Sequence, residues 1–198
     1  SYGSHYRYNQ RYLPHFALFR PDDGGVVNER NIEALRNAYD NSVLYTDYLI
    51  DQLAEYLCSL EACSAMLYCS DHGEDLFDDG RGMFLHSSPR VTYYQLHIPC
   101  LVWLSAKYRE SYPTKVALLQ QHRWSPASTS AIFHTLADIA SIDSPYVDRS
   151  KSLSSVEFDE SAERLYLGDG NCAECIDSRI GVTILDRREF LLHGIRDI

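Results

Sequence analysis

Apolar positions along the chain fall into two kinds of pattern. Between residues 28 and 57 a stripe recurs every three or four positions, at Ile32, Leu35, Tyr39, Ser42/Val43, Thr46, Ile50, Leu53 and Leu57. That spacing is one face of an amphipathic helix packed on a sheet. Asn28 can cap its start. Asp40, Asn41 and Asp47 fall off the stripe and read as a solvated face. Two later runs are continuous: residues 65–70 and the segment Cys100-Leu101-Val102-Trp103-Leu104-Ser105. Short apolar runs bounded by turn residues read as buried strands. Residues 106–122 are polar and helical in pattern. Ser125-Pro126-Ala127-Ser128-Thr129 then opens a helix over 127–140, with Ile132, Leu136 and Ile139 inward and His134 packed beside Phe133. After a Ser-rich loop at 150–155 the chain becomes β-like, at 164–167, 180–185 and 189–192, with Asp186-Arg187-Arg188-Glu189 as a hairpin turn. Strands alternating with helices over the first 140 residues predict an α/β sheet.

Composition narrows the partners. A chain of 198 residues is long enough for one domain with a sizeable core. The formal charge of −10 argues against nucleic acid and against an anionic membrane surface, because both reward basic patches. It leaves phosphate esters open, since a bound dication reverses the local field. No apolar run is long enough to span a membrane. The chain starts at Ser1 without an initiator Met and reads as part of a longer protein.

The first apolar run ends in Ser70-Asp71-His72-Gly73. In open α/β sheets ligands bind beyond the carboxyl ends of strands, so Asp71 and His72 emerge where chemistry is expected. A carboxylate beside an imidazole suits Zn²⁺, which takes oxygen and nitrogen ligands at roughly 2.0–2.2 Å. Gly73 permits a sharp turn behind the pair. Residues 74–83 are acidic and Gly-rich, but their spacing is wrong for an EF-hand. They read as a loop delivering His86 to the same site. His97, two residues before Pro99, reads as structural. Residues 1–21, with His5, His15, Arg7, Arg11, Arg20 and two prolines, read as an irregular loop lining a cleft.

Four ordered segments carry a family resemblance: Gly3-Ser4-His5 with Tyr8-Asn9-Gln10-Arg11-Tyr12, the stretch Ala38-Tyr39-Asp40-Asn41-Ser42-Val43-Leu44-Tyr45-Thr46-Asp47, Ser70-Asp71-His72-Gly73-Glu74, and Phe84-Leu85-His86-Ser87-Ser88-Pro89. Together they resemble the alkaline phosphatase superfamily in its sulfatase and phosphoethanolamine transferase branch. Weaker similarity continues through Ile132-Phe133-His134-Thr135-Leu136-Ala137-Asp138. Tyr6 stands where the family usually has glycine after the first histidine, so the loop path there differs.

The resemblance implies an αβα sandwich of the alkaline phosphatase/sulfatase type, present here as its C-terminal portion. Residues 1–153 would be the C-terminal part of a catalytic domain and 154–198 its β-rich tail. It implies a metal-dependent phosphoethanolamine transferase modifying lipid A or a related surface glycan. A phospholipid would be the donor. The catalytic domain would lie in the periplasm, anchored to the bacterial inner membrane by N-terminal helices outside this sequence. One or two Zn²⁺ ions are expected. Asp71 and His72 would be metal ligands, and His5 and His86 would hold the substrate phosphate, bind a second metal or protonate the leaving oxygen. Glu74 would orient the site from behind the ligands. The nucleophile and a further carboxylate ligand belong upstream and are not in this chain, so the chain alone is expected to be inactive and to hold zinc poorly.

Two other readings stay open: a sulfatase, and a non-catalytic module retaining the fold. No residue heads a C/S-x-P/A-x-R motif, since Cys175-Ile176-Asp177-Ser178-Arg179 has Asp at the Pro/Ala position. The six cysteines divide by setting. Cys69 and Cys100 read as buried small hydrophobes in strands. In a periplasmic protein the close pairs Cys58/Cys63 and Cys172/Cys175, the latter in a Gly/Asn-rich turn, suit disulfides, and a Cys58–Cys63 bridge is expected under oxidising conditions. Cys172-Ala173-Glu174-Cys175 also matches half of a zinc ribbon, without a second C-x-x-C to complete it.

Overall fold

A computed structural model of the chain describes residues 8–10, 12–23, 27–78, 80–86, 92–167 and 173–175. The elements are α1 (Ile32–Ser59), β1 (Ala65–Cys69), β2 (Asp75–Leu76), β3 (Phe84–Leu85), α2 (Tyr93–Leu96), β4 (Cys100–Leu104), α3 (Ala106–Ser111), α4 (Pro113–Gln121), α5 (Ala131–Ile139), β5 (Leu165–Leu167) and β6 (Ala173–Cys175).

The long helix forms as its periodicity predicts. The Asn28 side chain accepts from the Arg30 amide at 2.9 Å and starts a 3-10 turn that runs into α1. The buried face is confined to its N-terminal half, at Ala34, Leu35, Ala38 and Asn41. Leu35, 1% exposed, contributes about 2 kcal/mol by burial. Val43 and Leu53, expected inward, are exposed, although Phe16 reaches Tyr45 and Tyr48 farther along the helix. Asn41 overturns the expectation of a solvated face, being 0% exposed. Its Oδ1 accepts from the amides of Leu18 (2.9 Å) and Phe19 (3.0 Å), and its Nδ2 donates to the Phe19 carbonyl and Tyr12 Oη. One asparagine thus meets four polar partners and straps the N-terminal segment to α1. Asp40 and Asp47 are exposed as expected. Burial and a 2.7 Å hydrogen bond to Asp22 push the Tyr12 phenol up to about 12.

β1 and β4 pair antiparallel, from Ala65↔Leu104 to Cys69↔Cys100. Neither strand is buried as the apolar runs predict. β1 is half-buried throughout, and Cys100 and Leu101 are exposed. A two-stranded ribbon covers little of its own faces. Ser105 ties its far end: its hydroxyl donates to Ala62 O and accepts from the Ser64 amide, while its own amide donates to Ser64 O at 3.0 Å. The polar helical segment 106–122 breaks into α3 and α4 at Tyr112, with Pro113 in the first turn of α4 where its missing N–H costs nothing.

α5 starts at Ala131, later than expected, and buries Ala131, Thr135, Ala137, Asp138 and Ile139. Leu136, expected inward, is 42% exposed. Asp138 accepts from the Ser152 and Ser154 hydroxyls at 2.8 Å and from Arg149 at 3.0 Å, and Lys115 lies 3.4 Å away. These bonds clamp residues 149–154 onto the helix. The expected strand near 164–167 is present as β5, and it pairs with β6. Residues 173–175, expected in a turn, are therefore strand. The regions 180–185 and 189–192 lie outside the described residues.

Two cysteine expectations change. Cys58 and Cys63 are free and exposed, so the expected bridge is not formed here. Their loop is held by backbone instead: the Glu61 amide donates to Cys58 O at 3.1 Å, and Lys107 bonds the Glu61 carbonyl. Cys69 is half-buried and Cys100 exposed rather than core, because the ribbon end that carries them is open.

Candidate metal centre

The site begins where β1 ends. The Ser70 amide donates to Pro99 O at 3.3 Å, and its hydroxyl donates to His72 O at 2.7 Å, folding the chain into a tight turn. Gly73 is required, for a reason other than turn conformation. Among the described residues the glycine with positive φ is Gly82, not Gly73. The Gly73 amide donates to Gln95 O at 2.8 Å, and a Cβ there would lie 2.0 Å from the Tyr94 carbonyl oxygen. The backbone of α2 approaches too closely for any side chain.

β2 and β3 form a small hairpin, with Asp75↔Leu85 and Leu76↔Phe84 in register. Asp75, 1% exposed, accepts from Thr92 Oγ1 at 2.8 Å and Gln95 Nε2 at 2.5 Å. Thr92 also caps α2 through the Gln95 amide. From α1, Arg36 donates to the carbonyls of Leu76 (2.9 Å) and Phe77 (2.6 Å). The hairpin is thereby anchored to both helices, and it returns the chain to place His86 opposite His72.

His72, Glu74 and His86 converge, with one ligand atom from each within 4.8 Å of the others. The two imidazole rings lie 3.7 Å apart, centroid to centroid. His72 Nδ1 is 2.9 Å from Gly73 O, so in the tautomer that satisfies this bond Nδ1 donates and Nε2, 3.7 Å from the Asp71 carboxylate, is the nitrogen that can ligate. His86 Nδ1 lies 3.1 Å from both Glu74 oxygens, an arrangement that fixes the imidazole's orientation. Two imidazoles and a carboxylate are the donor set of a catalytic zinc site with one position left open. The chemistry of the set fits the ion.

Asp71 stands at the rim, its side chain 72% exposed and its carboxylate 3.7 Å from His72 Nε2. Burial works to raise its pKa, but the His72 ring and the local amides outweigh this and hold it below the usual carboxylate value. Burial first, and then the Glu74 charge, push the Tyr39 phenol up. His5 lies outside the described residues. His97 accepts its structural reading: its Nδ1 is 2.5 Å from Tyr93 Oη, with the rings 4.8 Å apart. The support from Asp75, Thr92, Gln95 and Arg36 carried no local sequence signal, since each bond spans 17 to 41 positions of chain.

Residues 1–142 match the sulfatase family model, and the chain belongs to that family. It is 34% identical over 145 residues to phosphoethanolamine transferase EptA of Salmonella typhimurium, covering 70% of this chain and 26% of that protein. It is 34% identical over 120 residues to the Kdo(2)-lipid A phosphoethanolamine 7''-transferase of Escherichia coli, covering 60% and 20%. The fold is that of the C-terminal periplasmic domain of EcEptC from E. coli, solved in complex with Zn, at a TM-score of 0.74 and 23% identity over 89% of this chain and 50% of that one. The lipooligosaccharide phosphoethanolamine transferase EptA of Neisseria meningitidis, an integral membrane protein, superposes at a TM-score of 0.65 with 29% identity, over 76% and 29%. The chain spans about a quarter of the length of the curated relatives it matches. Among the described residues no helix is long and apolar enough to cross a membrane.

Proposed function

We propose that this chain is the C-terminal part of the catalytic domain of a phosphoethanolamine transferase. The enzyme would move phosphoethanolamine from a phospholipid donor to lipid A or a related surface glycan. Residues 1–153 would belong to the domain body and 154–198 to its tail, in a periplasmic domain held at the bacterial inner membrane. The observation that carries the reading is the convergence of His72, Glu74 and His86 beyond β1 in a member of the sulfatase family. Relatives named for this transfer, and an EcEptC domain bound to Zn, support it.

Asp71 and His72 would hold zinc. His86 and His5 receive the substrate phosphate or pass a proton to the leaving oxygen, and Glu74 holds His86 in register. Zinc, when bound, supplies Lewis acidity that lowers a nucleophile's pKa and offsets charge on the transferred group. The nucleophile belongs to a segment outside this chain. One observation favours a second arrangement of the same site: Glu74 lies within ligating reach of the histidine pair, while Asp71 points to solvent. In that arrangement Glu74 is itself a ligand.

The test uses a longer protein that includes this chain, expressed in a bacterium without such transferases. Mass spectrometry of extracted lipid A is expected to show added phosphoethanolamine, lost in His72→Ala and His86→Ala. Unmodified lipid A together with sulfate-ester hydrolysis would replace this reading with a sulfatase. Tight one-to-one zinc and turnover by the 198-residue chain alone would overturn the assignment of the nucleophile to another segment.

A further inference from the structure

We propose that Cys69 and Cys100 are a modification site: the pair closes as a cross-strand disulfide when the chain meets a disulfide oxidant. The pairing pattern of the ribbon carries this. Cys69 faces Cys100 in the antiparallel register. At one end the Ser70 amide donates to Pro99 O, and at the other the Ser105 amide donates to Ser64 O. Facing pairs alternate between hydrogen-bonded and non-hydrogen-bonded along such a ladder. Counting inward from either end makes Cys69/Cys100 a non-hydrogen-bonded pair. Such pairs bring Cα atoms to about 4.5 Å and side chains together, inside the range of about 4.4–6.8 Å that a disulfide spans. Cys69 Sγ lies 3.3 Å from Ser70 O.

Access is in place, and burial pushes the Cys100 thiol up to about 11, so the exchange is favoured by alkaline pH, where the thiolate forms. Cys100 is exposed and is the sulfur an oxidant reaches first. Its thiolate attacks one sulfur of a small disulfide RSSR, giving a Cys100–SR mixed disulfide and releasing one RS⁻. The Cys69 thiolate then attacks the Cys100 sulfur and expels the second RS⁻. Two protein thiols are oxidised to one disulfide, RSSR is reduced to two RSH, and the two thiol protons leave with them. The ring so closed, residues 69–100, contains Asp71, His72, Glu74 and His86 of the candidate centre. The bond would close that loop at its base and leave the turn that presents His72 undisturbed. The inference does not depend on the transferase reading.

The experiment incubates the reduced 198-residue chain with oxidised glutathione, caps the remaining thiols and maps linked peptides by mass spectrometry. A Cys69–Cys100 peptide is expected as the dominant product. The melting midpoint should rise by about 10 °C, the scale set by the loop entropy removed, and return on reduction. Cys100→Ser should abolish both effects, whereas Cys58→Ser/Cys63→Ser should keep both. The proposal is overturned by a linkage map like that formed in concentrated urea, by Cys58–Cys63 as the main product, or by glutathione retained on Cys100.

Discussion

Two buried aspartates, Asp75 beneath the candidate centre and Asp138 on α5, show how differently this fold treats a buried carboxyl. Their exposures are nearly equal, 1% and 3%, and each accepts hydrogen bonds from two neutral side chains. Asp138 adds Arg149 and Lys115. At Asp138 burial works upward, but the Ser152 and Ser154 hydroxyls and then Lys115 outweigh it and hold the carboxyl below its ordinary value. At Asp75 burial wins over Gln95 and Thr92, and the carboxyl is raised. Among the described residues no ion pair reaches Asp75. Asp138 is a fastener. Asp75 is a negative charge kept one residue from Glu74, where a bound dication would compensate it.

The largest effect expected is at the fastener. Asp138→Ala should cost about 3 kcal/mol at pH 7, because it strands Arg149, Lys115 and two hydroxyls around an emptied site. The low end of that range applies, since Arg149 is 45% and Lys115 21% exposed. The folded carboxyl titrates below its unfolded value of about 3.9, so its contribution is complete above that value and is lost as pH falls through the folded one. Urea titrations of wild type and variant should therefore run parallel from pH 6 to 8 and converge below about pH 4. A gap that does not narrow as pH falls below about 4 would show that the charge is not what fastens residues 149–154.

Next comes the turn at the centre. Gly73→Ala places a methyl against the Tyr94 carbonyl, so α2 must retreat from the turn. A loss of about 2 kcal/mol in a urea titration is expected. Zinc binding by calorimetry should weaken with it, because His72 rides on the displaced backbone. Wild-type stability with wild-type zinc affinity would mean that the close approach is not what positions His72.

The contrast also marks what a sequence can disclose. The helix from Asn28, the strand runs before Asp71 and Ser105, and the return of His86 were legible because each is written in local spacing. Asn41 was misread because an amide on a helix is solvated by default, and its partners at 12, 18 and 19 sit in a segment without periodic pattern. An apolar run does not say how many neighbours a strand has, so it predicts a burial that a two-stranded ribbon does not provide. Gly73 was rightly singled out for the wrong cause, since close approach by residue 94 leaves no trace next to residue 73. The Asp138 clamp was invisible for the same reason: its donors come from 115, 149, 152 and 154.

The smallest expected effect separates the two aspartates most sharply. Asp75→Asn removes a charge but keeps the volume and one acceptor for Thr92. Stability should change by less than about 1 kcal/mol, because the carboxylate it replaces is already penalised by burial, and Arg81 acts on it only as a lesser charge. Zinc affinity should nevertheless fall about threefold to tenfold, the scale of one unit charge acting on a dication through protein and water. Asp138→Asn should do the reverse, lowering stability while leaving zinc affinity as it was. Calorimetric zinc titrations beside urea melts of both variants measure the cross-over. Equal losses of stability with no change in zinc binding would make Asp75 a second fastener, and the charge beneath the centre would then have no part in holding the ion.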